Sequence, residues 1–153
     1  MGLAMPGFTR WSIRFSFVYL LLSWLLELWR VSQPQFVPSL YWAHRVTIFH
    51  LFFVGWVTHM IFGVAYWMFP TQSRENPRGS VWPGVVTLCL LNVGILLRAL
   101  VEPLQYTTLW RPSWSLFLVT AGLLQWLAAL CFSAYIWRRI RGKRTGKKKH
   151  ATS

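Results

Sequence analysis

The chain has 153 residues, of which 55% are hydrophobic and only 12% charged, with 11 Trp and 11 Phe. Soluble domains spend about a quarter of their residues on charge, so this composition excludes an ordinary soluble fold and predicts an integral membrane protein. The net charge of +13 does not predict nucleic-acid binding, because eight of the sixteen Lys and Arg lie between Arg138 and Ser153 and the others sit singly near the ends of apolar runs. Such a distribution is a topology signal.

Four runs are long enough to cross about 30 Å of hydrocarbon at about 1.5 Å per helical residue. The first covers about residues 11–31. Arg14 and Glu27 lie near its ends, where long side chains reach the interface, and Glu27 and Arg30 are spaced to pair on one helix face. No small-residue cleavage site follows it, so it is read as a retained span rather than a secretory signal. The second span covers about 46–69 and the third about 81–101. Asn92 and Arg98 fall in the third, with Glu102 four residues beyond Arg98 to neutralise it. The fourth, about 114–137, is free of charge and carries Gln125. Residues 138–153 form a basic tail.

Prolines punctuate the connections: Pro34 and Pro38, then Pro70 and Pro77, then Pro103 and Pro112. Trp and Tyr crowd the span ends as an interfacial belt. Backbone groups in hydrocarbon must pair within the segment, and the two-residue alternation of a membrane barrel is missing. The predicted fold is therefore all-α, a bundle of four transmembrane helices. The basic tail places the C-terminus in the cytoplasm, and four spans put the N-terminus and the 70–80 loop on that side too. His50 then lies in the outer half of the second span. A prokaryotic cytoplasmic (inner) membrane is the expected location.

The second span, HLFFVGWVTHMIFGVAYWMFP, holds the residues most able to carry chemistry. An imidazole in hydrocarbon costs free energy and needs a reason. Gly55, His59 and Gly63 step by four and form one stripe, on which the glycines admit a close neighbouring helix. His59 is thus expected in a packed interface, hydrogen-bonded to Asn92 or Gln125, and only secondarily as a ligand. His50 has two readings. One is an interfacial imidazole bonded to water or a carbonyl; the other is an axial ligand to haem iron. In a regular α-helix His50 and His59 stand about 13.5 Å apart and half a turn out of phase, so they cannot share one iron.

The pattern H-x4-G-W-x4-I-x-G-x2-Y-x3-P, from His50 through Gly55, Trp56, Ile61, Gly63 and Tyr66 to Pro70, resembles a helix of subunit I-like proteins of the haem-copper oxidase superfamily. The likeness is to its nitric oxide reductase and high-affinity oxidase branch and to short membrane proteins related to it. The run LLNVGILLRALVEPL, from Leu90 to Leu104, resembles the next helix of those short relatives. The resemblance covers about residues 45–104. It implies that His50 matches the outer histidine that ligates a low-spin haem b, with a role in electron transfer or sensing within a respiratory-type complex. The second axial histidine and the copper ligands of that family lie on later helices, so it implies no oxygen or nitric oxide reduction by this chain. A companion histidine often seen two positions before His50 is Ile48 here.

Nothing else points to catalysis. The only acids are Glu27, Glu75 and Glu102, and no paired carboxylates, nucleophile elbow or phosphate loop can be found. Cys89 and Cys131 fall inside apolar runs without metal or redox spacing. The chain is read as a non-enzyme whose partners are membrane lipids and other membrane subunits or a second copy of itself. Two functions stand side by side: a haem-binding subunit, with a dimer supplying the opposite His50, and an accessory or assembly subunit with no cofactor.

Overall fold

The computed structural model describes residues 6–32, 38–69 and 80–140. The 70–79 stretch and the basic tail beyond Ile140 lie outside them. All regular structure among the described residues is helical. Helix α1 spans Gly7–Ser32. The second rod starts as α2, Pro38–Phe49, passes through a π-helical segment, His50–Val57, and ends as α3, Thr58–Met68. Helix α4 is Trp82–Val101, closed by a 3-10 turn at Glu102–Tyr106 where Pro103 withholds its amide donor. A short turn at Pro112–Trp114 leads into α5, Ser115–Ile140. Four of the resulting rods are long and apolar enough to cross a membrane: Gly7–Ser32, His44–Met68, Trp82–Tyr106 and Pro112–Ile140. The second rod begins at Pro38, well before the expected start of the second span at about residue 46.

Helix α1 is inside out by the standards of a soluble protein. Its buried positions include Thr9, Ser12, Ser16, Tyr19 and Ser23, while Leu21, Trp24, Leu25 and Leu28 are more than 60% exposed. The buried set steps by three and four, one stripe of a helix. Small side chains let backbones approach where the surroundings are as apolar as leucine. Ser16 and Ser23 donate back to the carbonyls of Ile13 and Leu20, which removes the cost of burying their hydroxyls.

This stripe receives the glycines of the second rod. A Cβ at Gly63 would lie 2.9 Å from Cβ of Ser12, and one at Gly55 would lie 2.7 Å from Cγ of Tyr19. Thr9 Oγ1 donates to the Gly63 carbonyl at 3.1 Å across the same contact. Backbone is met more closely at Gly94, where a Cβ would stand 2.9 Å from the Ala121 carbonyl oxygen. Helices α4 and α5 pair extensively, and Ala121 and Ala128 of α5 are fully buried.

Two apolar clusters fill the interior. One gathers Phe8, Tyr66, Phe132, Tyr135 and Ile136. Phe62 stacks on Phe132 at 3.9 Å between ring centres and Tyr66 on Tyr135 at 5.5 Å, so aromatic rings bridge α3 to α5. The other cluster joins Tyr19, Leu51, Leu91, Ile95 and Ala128.

Arg139 completes the first end. Its guanidinium donates to the carbonyls of Tyr66 at 2.9 Å and Phe69 at 2.7 Å and lies over the rings of Tyr66 and Tyr135. The carbonyls at the end of α3 have no intrahelical donors, and a cation there satisfies them. A residue counted with the basic tail is therefore a buried part of the bundle.

Candidate functional site

The interior polar side chains gather at two levels between the second rod and α4. The inner level is built on His59, which is fully buried. Its Nδ1–H donates to the Gly55 carbonyl at 2.7 Å, one turn earlier. Its Nε2 accepts from Asn92 Nδ2 at 3.1 Å. Asn92 also donates to the Leu88 carbonyl at 2.8 Å, and its Oδ1 accepts from Tyr19 OH at 2.6 Å. Phe15 and Tyr19 flank the imidazole at 6.0 and 5.4 Å. Both ring nitrogens are occupied, and three rods are tied by one amide. Of the two partners open to His59 in the sequence, Asn92 is the one it meets. Gln125 instead packs on Gly94, with its Nε2 buried and without a partner.

The outer level is built on Glu102, 3% exposed. Arg98 Nε donates to its Oε1 at 3.0 Å, the spacing of four that the sequence suggests. His50 Nδ1 stands 3.1 Å from Oε2 and 2.9 Å from the Val46 carbonyl, so one N–H serves both acceptors. Thr47 Oγ1 donates to Oε2 at 3.4 Å. The carboxylate charge is matched by one guanidinium, and toward a carboxylate and a carbonyl the ring nitrogen Nδ1 can act only as donor. The other ring nitrogen, Nε2, has no hydrogen-bond partner among the described residues, and the His50 side chain retains 25% of its surface.

Both histidines face α4, which differs from the half-turn offset of a regular helix. The cause is the π-helical segment between them. Bonding from i to i+5 widens each turn, so the nine-residue step no longer carries His59 to the opposite side. Neither histidine can join the other at one iron even so, because His59 has no free nitrogen.

These contacts join the second rod to α4 and the turn that closes it: His50 and its neighbour Thr47 reach Glu102, which also holds Arg98, while His59 reaches Asn92. The ion-pair spacing of Arg98 and Glu102 is visible in the sequence; the arrival of His50 at Glu102 is not, because it depends on the register between two rods.

Two other features lie apart from this site. Glu27 and Arg30 form a two-pronged ion pair on α1. Beside them an open groove of about 250 Å³ is lined by Ser23, Trp24, Glu27, Ile48, Phe49, Phe52 and Phe53. Among the described residues no three His, Cys, Asp or Glu side chains come together to hold a metal ion. The donor set fits one axial contact to a haem iron, through Nε2 of His50. It does not fit a bis-histidine site within one chain, since His59 is committed and the ring of His44 rests against the edge of Trp29. Comparison of the chain with protein-family models, with curated proteins and with solved structures gives no match in any of the three.

Proposed function

We propose that the chain is a multi-pass membrane protein that acts as a non-catalytic, haem-binding subunit of a respiratory-type complex in a prokaryotic cytoplasmic membrane. Both termini lie on the cytoplasmic side and His50 in the outer half, as the basic tail dictates. The observation that carries the reading is the state of the His50 ring. Its Nδ1–H is engaged by a carbonyl and a carboxylate, and Nε2 is left without a partner among the described residues. Ligating histidines are held in this way, with the far nitrogen hydrogen-bonded and the near one presented to the metal. Intramembrane ionisable groups are costly enough that a functional role is their default explanation.

A haem b bound there would supply one-electron transfer. The chain itself would contribute one imidazole, backed by Glu102 and the Val46 carbonyl. A second protein ligand would come from outside the chain, from the His50 of a second copy or from another subunit. On this reading purified protein carries a Soret band. His50→Ala abolishes it, His59→Ala leaves it largely in place, and haem content near one per two chains marks the symmetric dimer. A colourless protein, expressed with ample haem and its native partners, would sink the proposal.

The second reading is an accessory or assembly subunit without a cofactor. What favours it is the saturation of the inner level, where His59, Asn92 and Tyr19 use their polar atoms on one another to hold helices. Orientation is common to both readings. Cysteines placed at Gln35 and Gln105 should react with an impermeant reagent from outside, and those at Gln72 and Thr145 only from inside. Labelling of position 72 from the outer face reverses the assignment and moves His50 to the inner half.

A further inference from the structure

We propose that Glu102 is a positioning residue for His50: held by Arg98, it fixes the imidazole in the Nδ1–H tautomer so that the Nε2 lone pair faces outward to accept a metal. The inference rests on the reading of His50 as a ligand and adds the part that prepares it.

An isolated imidazole in water is free to carry its proton on either nitrogen, and only the bare nitrogen can ligate. The ring therefore needs an acceptor beside Nδ1 that never donates. An ionised carboxylate is such a group. Glu102 is kept in that state and in that orientation by its surroundings. Arg98 Nε takes Oε1 at 3.0 Å, so Oε2 is the oxygen turned to His50 at 3.1 Å and to Thr47 at 3.4 Å. With Glu102 3% exposed, water has little access to compete. The Val46 carbonyl, 2.9 Å from Nδ1, favours the same tautomer from the other side. Carboxylate and carbonyl together also restrain rotation of the ring. The residual 25% exposure of His50 leaves an approach open to the second nitrogen.

The division of roles gives Glu102→Gln a specific outcome. Guanidinium nitrogens only donate, so Arg98 claims the amide oxygen of the glutamine. The NH2 group then occupies the Oε2 position and points at Nδ1. Two donors would face each other unless the ring proton moves to Nε2. A side chain of the same shape should thus reverse the tautomer and close the ligand site. The logic is the one by which an amide in place of an orienting carboxylate leaves a catalytic histidine in the wrong tautomer elsewhere.

The test is 15N NMR of the full chain in detergent, with labelled histidine, at pH ~8.5 where imidazoles are neutral. The His50 signals are identified by their loss in His50→Ala. Wild type should show protonated Nδ1 and bare Nε2, and Glu102→Gln the reverse. Should Glu102→Gln not yield folded protein, the double variant Arg98→Leu with Glu102→Leu removes the carboxylate without orphaning the arginine, and His50 should then populate both tautomers. A wild-type ring protonated on Nε2 overturns the proposal. So does an Nδ1–H tautomer that survives unmixed in the folded variants, because the Val46 carbonyl would then act alone. Hemin titration of the same samples separates the two levels of argument. Affinity about 10- to 100-fold weaker in Glu102→Gln supports both. Failure of wild type to bind hemin, with the tautomers as expected, removes the haem reading and leaves the role of Glu102 standing.

Discussion

Gly94→Leu should destabilise the bundle by about 3 kcal/mol or more, at the upper end of what overpacking costs. The first added carbon would already lie 2.9 Å from the Ala121 carbonyl oxygen and 3.3 Å from the Gln125 amide nitrogen. Both are backbone atoms, so no rotamer change relieves the contact, and α4 and α5 must separate. The two helices pair extensively and Ala121 and Ala128 are fully buried, so parting them forfeits packing along much of both. Gly94→Ala should fall between, because about 1 kcal/mol of helix propensity offsets part of the clash. Gly7, with nothing within 4 Å of its missing Cβ, is the control, and Gly7→Ala should stay within about 0.5 kcal/mol of wild type. Denaturant titration in detergent reads all three. Wild-type stability in Gly94→Leu would mean that α4 and α5 are not in register as described.

Asn92→Leu should cost about 2–4 kcal/mol, more than any other conservative change among the interior polar groups of the inner level. Leucine keeps the branching of asparagine but is bulkier, so some overpacking adds to the lost pairing. Tyr19 OH loses its acceptor and His59 Nε2 its donor, both in the interior of the bundle. A buried group left unsatisfied costs about 1–3 kcal/mol. Hydrogen bonds between membrane helices average less than that, which sets the lower end. Tyr19→Phe removes only one bond and leaves Asn92 Oδ1 as the single orphan, so it should cost about half as much. If Asn92→Leu is neutral in the same titration, the amide does not tie the three rods together. The measurement is independent of haem, and separates the structural histidine from the candidate ligand.

How much of this was legible in the sequence follows from which forces act locally. The four rods are plain in the apolar runs, because a span must satisfy its backbone alone. The stripe of Gly55, His59 and Gly63 was readable for the same reason, as was the Arg98–Glu102 pair, four residues apart on one helix. The π-helical segment was not. HLFFVGWV has no composition that separates it from an α-helix, and its wider turn is stabilised by what it packs against. The inference that carried regular 3.6-residue turns across the whole of His50–Val57, the opposite facing of His50 and His59, was therefore rotated out of place. The meeting of His50 with Glu102, and the choice of Asn92 over Gln125 for His59, depend on registers between rods. The role of Arg139 had a faint signal, a basic residue four after Tyr135 in the last turn of the last span, but it was masked by the run of cations that follows.

The placement of Arg139 has a consequence for how the protein is made. The carbonyls that end α3 belong to the second span, yet the side chain that satisfies them stands near the end of α5. During synthesis α3 leaves the ribosome with that terminus unfinished, and it stays so until more than sixty further residues have been added. The aromatic stack between α3 and α5 is deferred by the same interval. Chain growth thus separates two events in time: the Thr9, Ser12 and Tyr19 contacts can close as soon as the second rod is in place, whereas the α3–α5 contacts wait for α5. A nascent chain halted after α4 would keep the α1 contacts but leave the carbonyls of Tyr66 and Phe69 without the Arg139 guanidinium.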